Sequence, residues 1–330
     1  MSDFEMILRA WRQQLPPRFS SSVVDEYIRR HQAEMSKQIT QAIARAAKKS
    51  NWIGTAPEQS TPVEADPDEQ TKSARELANF AAVQIVAAKK PADMTPEDRR
   101  AILKYSGWGG LSIERFKGKF PAGMEPDSFG LLHEYYTPTI VCEAIARRVC
   151  PLIPSLAGRD GHIRAVEPSC GIGRMVRALS SPTCPAGDKI SWATVELSSV
   201  SSKIWRAIRP DVKHYQMSFE QFIREKGETM KGRAGFIFSN PPYGERGAFA
   251  LEDPDESYRE TKAYVYFLRR GLELLAPGGL GVYMIPAAFL SGPSHRKQRE
   301  RLLRRFHLSA AFRLPSHYPN AKGEPGKEFI

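Results

Sequence analysis

The chain has 330 residues, 41% of them hydrophobic, and carries 48 Lys and Arg against 37 Asp and Glu, a net charge of +11. This is long and apolar enough for one main domain with an appendage, and the positive balance favours a polyanionic partner. No signal peptide and no apolar run of membrane-spanning length is present, so a cytoplasmic location is expected, and four cysteines (Cys142, Cys150, Cys170, Cys184) without a CxxC pair argue against a zinc site or a disulfide framework.

Residues 1–53 read as helical. Phe4, Ile7, Leu8 and Trp11 share one face, and Val24, Tyr27, Ile28, Met35, Ile39 and Ile43 mark a longer helix after Pro16-Pro17. Residues 54–72 turn polar, acidic and proline-bearing, which predicts a flexible linker. A helical region follows over 73–130. It opens with an Ala-rich helix over 73–89 and a second helix capped by Thr95-Pro96-Glu97-Asp98. Gly107-Trp108-Gly109-Gly110 then reads as a packed turn with an aromatic anchor.

From 131 to 330 helix and strand alternate, which predicts an α/β domain with a mostly parallel sheet. Strands are expected at Ile163–Val166, Ser191–Val195, Val212–Gln216 and Phe236–Phe238. A helix over Tyr258–Leu275, ended by Pro277-Gly278-Gly279, leads to a fifth strand at Leu280–Ile285. A basic helix spans Pro293–Phe306, with Arg296, Lys297, Arg299, Arg301, Arg304 and Arg305 on several faces. It tracks phosphates or is simply solvated. Leu308–Leu314 is expected to be a sixth strand.

Two loops carry chemistry. Glu167-Pro168-Ser169-Cys170-Gly171-Ile172-Gly173, between the first strand and a helix-like run from Met175 to Leu179, has the strand–glycine loop–helix form of a nucleotide site, where missing Cβ atoms admit a ligand. Asn240-Pro241-Pro242-Tyr243 follows the fourth strand. Two prolines stiffen it, and it offers an amide, free carbonyls and an aromatic face, a set that suits a planar ring with an exocyclic amine.

This tetrad resembles the catalytic motif of amino-methyltransferases that use S-adenosylmethionine, above all the DNA adenine-N6 methyltransferases. The glycine loop upstream agrees, and Tyr136-Thr137-Pro138 resembles that family's N-terminal cofactor motif. The resemblance implies a Rossmann-like methyltransferase sheet with Asn240, Pro241, Pro242 and Tyr243 catalytic. It implies cofactor binding by Tyr136, Thr137, Pro138, Glu167, Pro168, Gly171 and Gly173, by Glu196 on the ribose hydroxyls, and by Ser218 and Phe219 near the adenine. Implied partners are DNA with a flipped adenine and a helicase region in the same or another polypeptide, since residues 103–111 look like the region before the methylase motifs of phage and plasmid methylase–helicase fusions. RNA or protein-glutamine methylation, or a non-catalytic DNA-binding module, are the alternatives.

Three departures stand out. Ser218 replaces the usual Asp, and Gly235 replaces an acid at the start of the fourth strand. The family's seventh strand would only be starting at Lys327–Ile330, so the sheet is expected to be truncated and the chain to be a piece of a longer polypeptide.

Overall fold

The computed structural model describes residues 70–158, 160–181, 184, 186–314, 317–319 and 325–328. The helices expected over 1–53 and nearly all of the linker lie outside the described residues. Among the described residues the chain divides into two compact units, one holding residues 70–286 and 308–328, the other Ala287–His307.

The larger unit is built on five parallel strands: β1 (Ile163–Glu167), β2 (Ile190–Glu196), β3 (Lys213–Gln216), β4 (Ala234–Ser239) and β5 (Leu275–Tyr283). Their spatial order is β3-β2-β1-β4-β5. Side chains alternate along β1, β2 and the Phe236–Phe238 part of β4, as the period of two demands. Ile163, Ala165, Trp192, Phe236 and Phe238 face one core, shared with Cys142, Val149 and Val176. Val166, Ala193, Val195 and Ile237 face a second, shared with Phe219, Phe222, Tyr266 and Phe267. Helices therefore cover both faces: α4 (Thr139–Val149) and α5 (Arg174–Leu179) one, α7 (Phe219–Met230) and α8 (Ala263–Glu273) the other. This is the α/β fold expected from the alternating pattern.

The helical region is not a separate body. Its α1 (Lys72–Ala88) and α2 (Pro96–Leu103), the latter held by a capping box between Thr95 and Asp98, pack with Tyr105, Trp108 and Phe116. The same core takes in Ile204 and Ala207 of α6 (Ser199–Ile208), the helix after β2. A short α3 (Ser128–His133) precedes the chain's entry into the sheet layer.

Four expectations need correction. Leu308–Leu314 forms no strand. Leu308, Phe312 and Leu314 alternate correctly but are 47%, 61% and 38% exposed, and alternation without a ladder partner does not make a strand. β5 is thus a sheet edge among the described residues, and β6 (His317–Pro319) pairs only with β7 (Pro325–Glu328), antiparallel, in its own small sheet. The helix expected from Tyr258 begins at Ala263, because Glu256–Tyr258 is a 3-10 turn. Pro277-Gly278-Gly279 lies within β5, where the register shifts, and Gly278 takes φ +79°. Lastly, Cys150 and Cys184 are joined by a disulfide, with their α-carbons 5.5 Å apart. Their separation of 34 residues carries no signature; the packing of α4 on α5 brings them together.

In the smaller unit, α9 (Ala288–Ser291), a 3-10 turn and α10 (Arg296–Leu303) follow one another. Arg299 is buried and donates to the Phe289 and Gly292 carbonyls at 2.7 and 2.6 Å, so it is not one of the solvated basics. Lys297, Arg301 and Arg304 are exposed.

Candidate active site

Chain order reverses between β1 and β4: β2 and β3 are laid to one side of β1, β4 and β5 to the other. Loops leaving adjacent strands at such a switch diverge and open a crevice at the carboxyl edge. The two chemistry-bearing loops are those that follow β1 and β4. Ser169 Oγ stands 3.2 Å from Ser239 Oγ and donates to the Asn240 carbonyl at 3.1 Å, so the loops are stitched together.

Between them lies a small pocket, partly open to solvent. Tyr135, Tyr136, Thr137, Glu167, Ser169, Arg174 and Asn240 line it, over a floor that includes Cys170, Met175 and Phe238. Asn240 is fixed from two sides. Its Nδ2 donates to Thr137 Oγ1 at 3.0 Å, and its Oδ1 accepts from the Tyr243 hydroxyl at 3.0 Å. Arg174, buried at the start of α5, donates to the Thr137 carbonyl at 3.0 Å. Thus Thr137, Asn240 and Tyr243 meet through direct hydrogen bonds although 103 residues separate the first two. Pro241 is buried and Pro242 exposed beside them.

Two acids at the site are unusual. Glu167 Oε2 is buried with no hydrogen-bond partner among the described residues. Burial, and then the nearby Glu196, push its pKa well above the usual carboxylate range. Glu196 ends β2, and its carboxylate is enclosed even though part of the residue is open to solvent. Oε2 accepts the Gly171 N–H at 2.8 Å and Oε1 the Ser198 N–H at 2.8 Å. Burial raises its pKa to about 7 against those backbone donors, and Glu134 adds to the rise.

The glycines of the β1 loop serve a different neighbour from the one expected. Gly171 and Gly173 have φ +53° and +67°, which L side chains rarely adopt. A Cβ on Gly171 would run into the Tyr136 ring, and one on Gly173 into Trp205. The missing side chains are filled by protein aromatics, and the loop backbone is thereby wedged between the Tyr136 segment and α6.

Of the remaining expected residues, Pro138 is the N-cap position of α4, and Pro168 follows Glu167 in the β1 loop. Ser218 caps α7, accepting the Gln221 N–H at 3.0 Å, and donates to Glu252 at 3.3 Å. This is the ordinary N-cap task of a serine. Phe219 is only 2% exposed and packs against Phe222, Tyr266 and Phe267, beneath the sheet rather than in the pocket. Gly235 has its own explanation: a Cβ there would strike the Leu156 carbonyl.

Three residues had no signal in the sequence. Arg174 supplies the pocket's cation. Glu134 gathers donors from three segments of the chain around the pocket wall. Arg246 fastens the loop after the tetrad: buried over the Tyr266 ring, it pairs with Glu220 at 2.9 Å and donates to the Tyr258, Glu260 and Phe249 carbonyls, each at 3.0 Å. Only the fold reveals these partners.

The pocket belongs to a doubly wound α/β protein; it lies at the switch point and is lined by an amide, a cation and an acid, with a second acid, Glu196, bonded to the adjoining β1 loop. Residues 191–318 match the family described as Eco57I restriction-modification methylase. Over 233 residues, 70% of this chain, it is 28% identical to the Defense against restriction protein B of Escherichia phage P1, and it spans 9% of that protein's length. Among solved structures, it is similar to a modification subunit of a putative type I restriction enzyme from Vibrio vulnificus YJ016 (TM-score 0.40, 18% identity, 55% of this chain and 39% of that one). It is also similar to a putative class I S-adenosylmethionine-dependent methyltransferase from Listeria monocytogenes (TM-score 0.43, 12% identity, 69% of this chain and 71% of that one).

Proposed function

We propose that this chain is a restriction-modification-type methyltransferase that uses S-adenosylmethionine to methylate adenine N6 in DNA. The observation that carries this is the convergence of Asn240, Thr137, Arg174 and Glu167 on one pocket at the switch point. The match over residues 191–318 supports it, as does the net charge of +11.

The lining fits the cofactor. An amino-acid zwitterion needs an acceptor and a cation, and the pocket is lined by both: Glu167, whose Oε2 has no hydrogen-bond partner among the described residues, and the guanidinium-bearing Arg174. When bound, S-adenosylmethionine supplies an electrophilic sulfonium methyl group. Glu167 would accept from its ammonium, Thr137 and Arg174 would hold its carboxylate, and Glu196 would accept from the ribose hydroxyls.

Asn240 addresses the substrate. With Nδ2 committed to Thr137, the amide cannot rotate, so Oδ1 is the atom left to accept a second hydrogen bond beside that from Tyr243. Accepting one amine N–H on Asn240 Oδ1 and the other on the Pro241 carbonyl localises the amine lone pair that adenine otherwise delocalises into its ring. Catalysis then rests on positioning and electrostatics, without a strong base. The amine of a paired adenine is out of reach, so the base must leave the helix and lie against the Tyr243 ring, which is 41% exposed.

Methyl transfer from labelled cofactor to DNA, RNA and glutamine peptides, offered separately, tests this. Label in DNA alone, recovered as N6-methyladenine, is expected; label in RNA or peptide alone would overturn the substrate assignment.

A further inference from the structure

We propose that Glu134 is a positioning residue for the cofactor's amino-acid end, the link through which the helical region holds the Tyr135–Thr137 wall of the pocket in place. The inference rests on the proposed use of S-adenosylmethionine and adds to that site a residue outside the pocket.

Glu134 lies just before three consecutive pocket-lining residues. Its Oε1 accepts from the hydroxyls of Tyr136 at 2.7 Å, Tyr105 at 2.9 Å and Ser201 at 2.9 Å. Its Oε2 accepts the Trp108 N–H at 2.9 Å and the Tyr105 hydroxyl at 3.1 Å. These donors come from the Gly-Trp turn, from α6 and from the pocket wall itself. The turn is in turn held by α1: Asn79, fully buried, donates to the Gly107 carbonyl and accepts the Ser106 N–H, both at 2.7 Å.

The backbone repeats the link. Gly109 N–H donates to the Glu134 carbonyl at 3.1 Å, and a Cβ at Gly107 or Gly109 would strike that same carbonyl. Downstream, Tyr136 rests on Gly171 and Thr137 holds Asn240. A continuous path of packed and hydrogen-bonded groups therefore runs from α1 through Glu134 to the pocket, and the Gly107–Gly110 turn, otherwise without a role, is its middle. Desolvation raises the Glu134 pKa while the surrounding donors oppose the rise, the pattern of a carboxylate retained for its acceptor geometry.

Glu134→Gln discriminates this role. A glutamine keeps shape but replaces one acceptor oxygen by a donor. With the amide oxygen turned to the Trp108 N–H, which cannot reverse, Nε2 brings two hydrogens to a place where three hydroxyls donated, so at least one of Tyr105, Tyr136 and Ser201 loses its partner. Calorimetric titration of the full chain with S-adenosylhomocysteine and with 5′-methylthioadenosine, which lacks the amino-acid end, reads the effect. Glu134→Gln should weaken S-adenosylhomocysteine on the order of tenfold or more while 5′-methylthioadenosine changes less than about threefold. Equal loss of both, or loss of neither, overturns the proposal. Tyr105→Phe, which removes one donor and keeps the buried ring, should show the same split at smaller size and decides the matter if Glu134→Gln does not fold. A wild-type chain that binds neither compound would remove the cofactor assignment itself, and the role of Glu134 with it.

Discussion

The Tyr243 hydroxyl donates to Asn240 Oδ1 at 3.0 Å, so two residues of the tetrad are coupled before any substrate arrives. Tyr243 thus has two separable tasks, an aromatic face for a base and a hydrogen bond that orients the amide.

Substitutions separate them. Tyr243→Phe keeps the face and should lower kcat by a factor corresponding to about 0.5–1.5 kcal/mol, with little change in KM for DNA. Tyr243→Ala removes the face as well and should cost a further 1–3 kcal/mol or so in DNA handling. Steady-state kinetics on an adenine-containing oligonucleotide checks both; a Phe variant as impaired as the Ala variant would mean stacking contributes nothing.

Protonation of Glu196 should govern ribose binding. Its pKa of about 7 lies above the usual carboxylate value, so near neutrality the ligand-free site holds a mixture of neutral and ionised forms. Only the ionised form accepts from both hydroxyls without first losing its own proton. Affinity for 5′-methylthioadenosine should therefore rise about tenfold between about pH 6 and pH 8, and Glu196→Gln should flatten the profile. The sign for stability is opposite. A carboxylate with a raised folded pKa contributes most below its unfolded value, so the ligand-free chain loses this contribution as pH rises from about 4.5 through 7. Melting curves across that range check the second point.

Gly171→Ala should be poorly tolerated for two additive reasons. An L residue at φ +53° costs about 1–2 kcal/mol, and the new methyl displaces the Tyr136 ring. Melting temperature and S-adenosylhomocysteine affinity should fall together. Gly118→Ala, at φ +70° but with open space around it, controls for the backbone cost alone.

Arg246→Met should destabilise the chain by about 3–5 kcal/mol, because it leaves Glu220 buried and unpaired. Denaturant unfolding measures this. If Glu220→Gln in the same background restores little, the three carbonyl contacts of Arg246 are the larger part of its role.

Much of this site was legible in the sequence where local chemistry decides it. β1, β2 and β4 are short apolar runs closed by loops, and the Glu167–Gly173 and Asn240–Tyr243 loops were readable because glycine and proline constrain the backbone wherever they stand. What was not legible depends on neighbours distant in the chain. Gly171 suggested room for a ligand, but Tyr136 takes the space. Gly235 looked like a missing acid, but the Leu156 carbonyl requires it. Phe219 followed a strand in the expected place, yet as the first residue of α7 it turns into the core. Leu308–Leu314 had the pattern of a strand without a partner to pair with, and Glu134 is one acid among many until the fold brings Tyr105, Trp108 and Ser201 around it.

The central claim, that Asn240 presents its amide oxygen to an adenine amine at a cofactor-loaded pocket, is tested most directly by nucleoside mass spectrometry. Adenine-rich DNA is incubated with S-adenosylmethionine and either the wild-type chain or Asn240→Ala, with S-adenosylhomocysteine affinity measured in parallel. The wild type should yield N6-methyladenine, and Asn240→Ala should yield none while binding S-adenosylhomocysteine within about threefold of wild type. Undiminished N6-methyladenine from Asn240→Ala, or a wild type that binds the cofactor and methylates only another base, would contradict it.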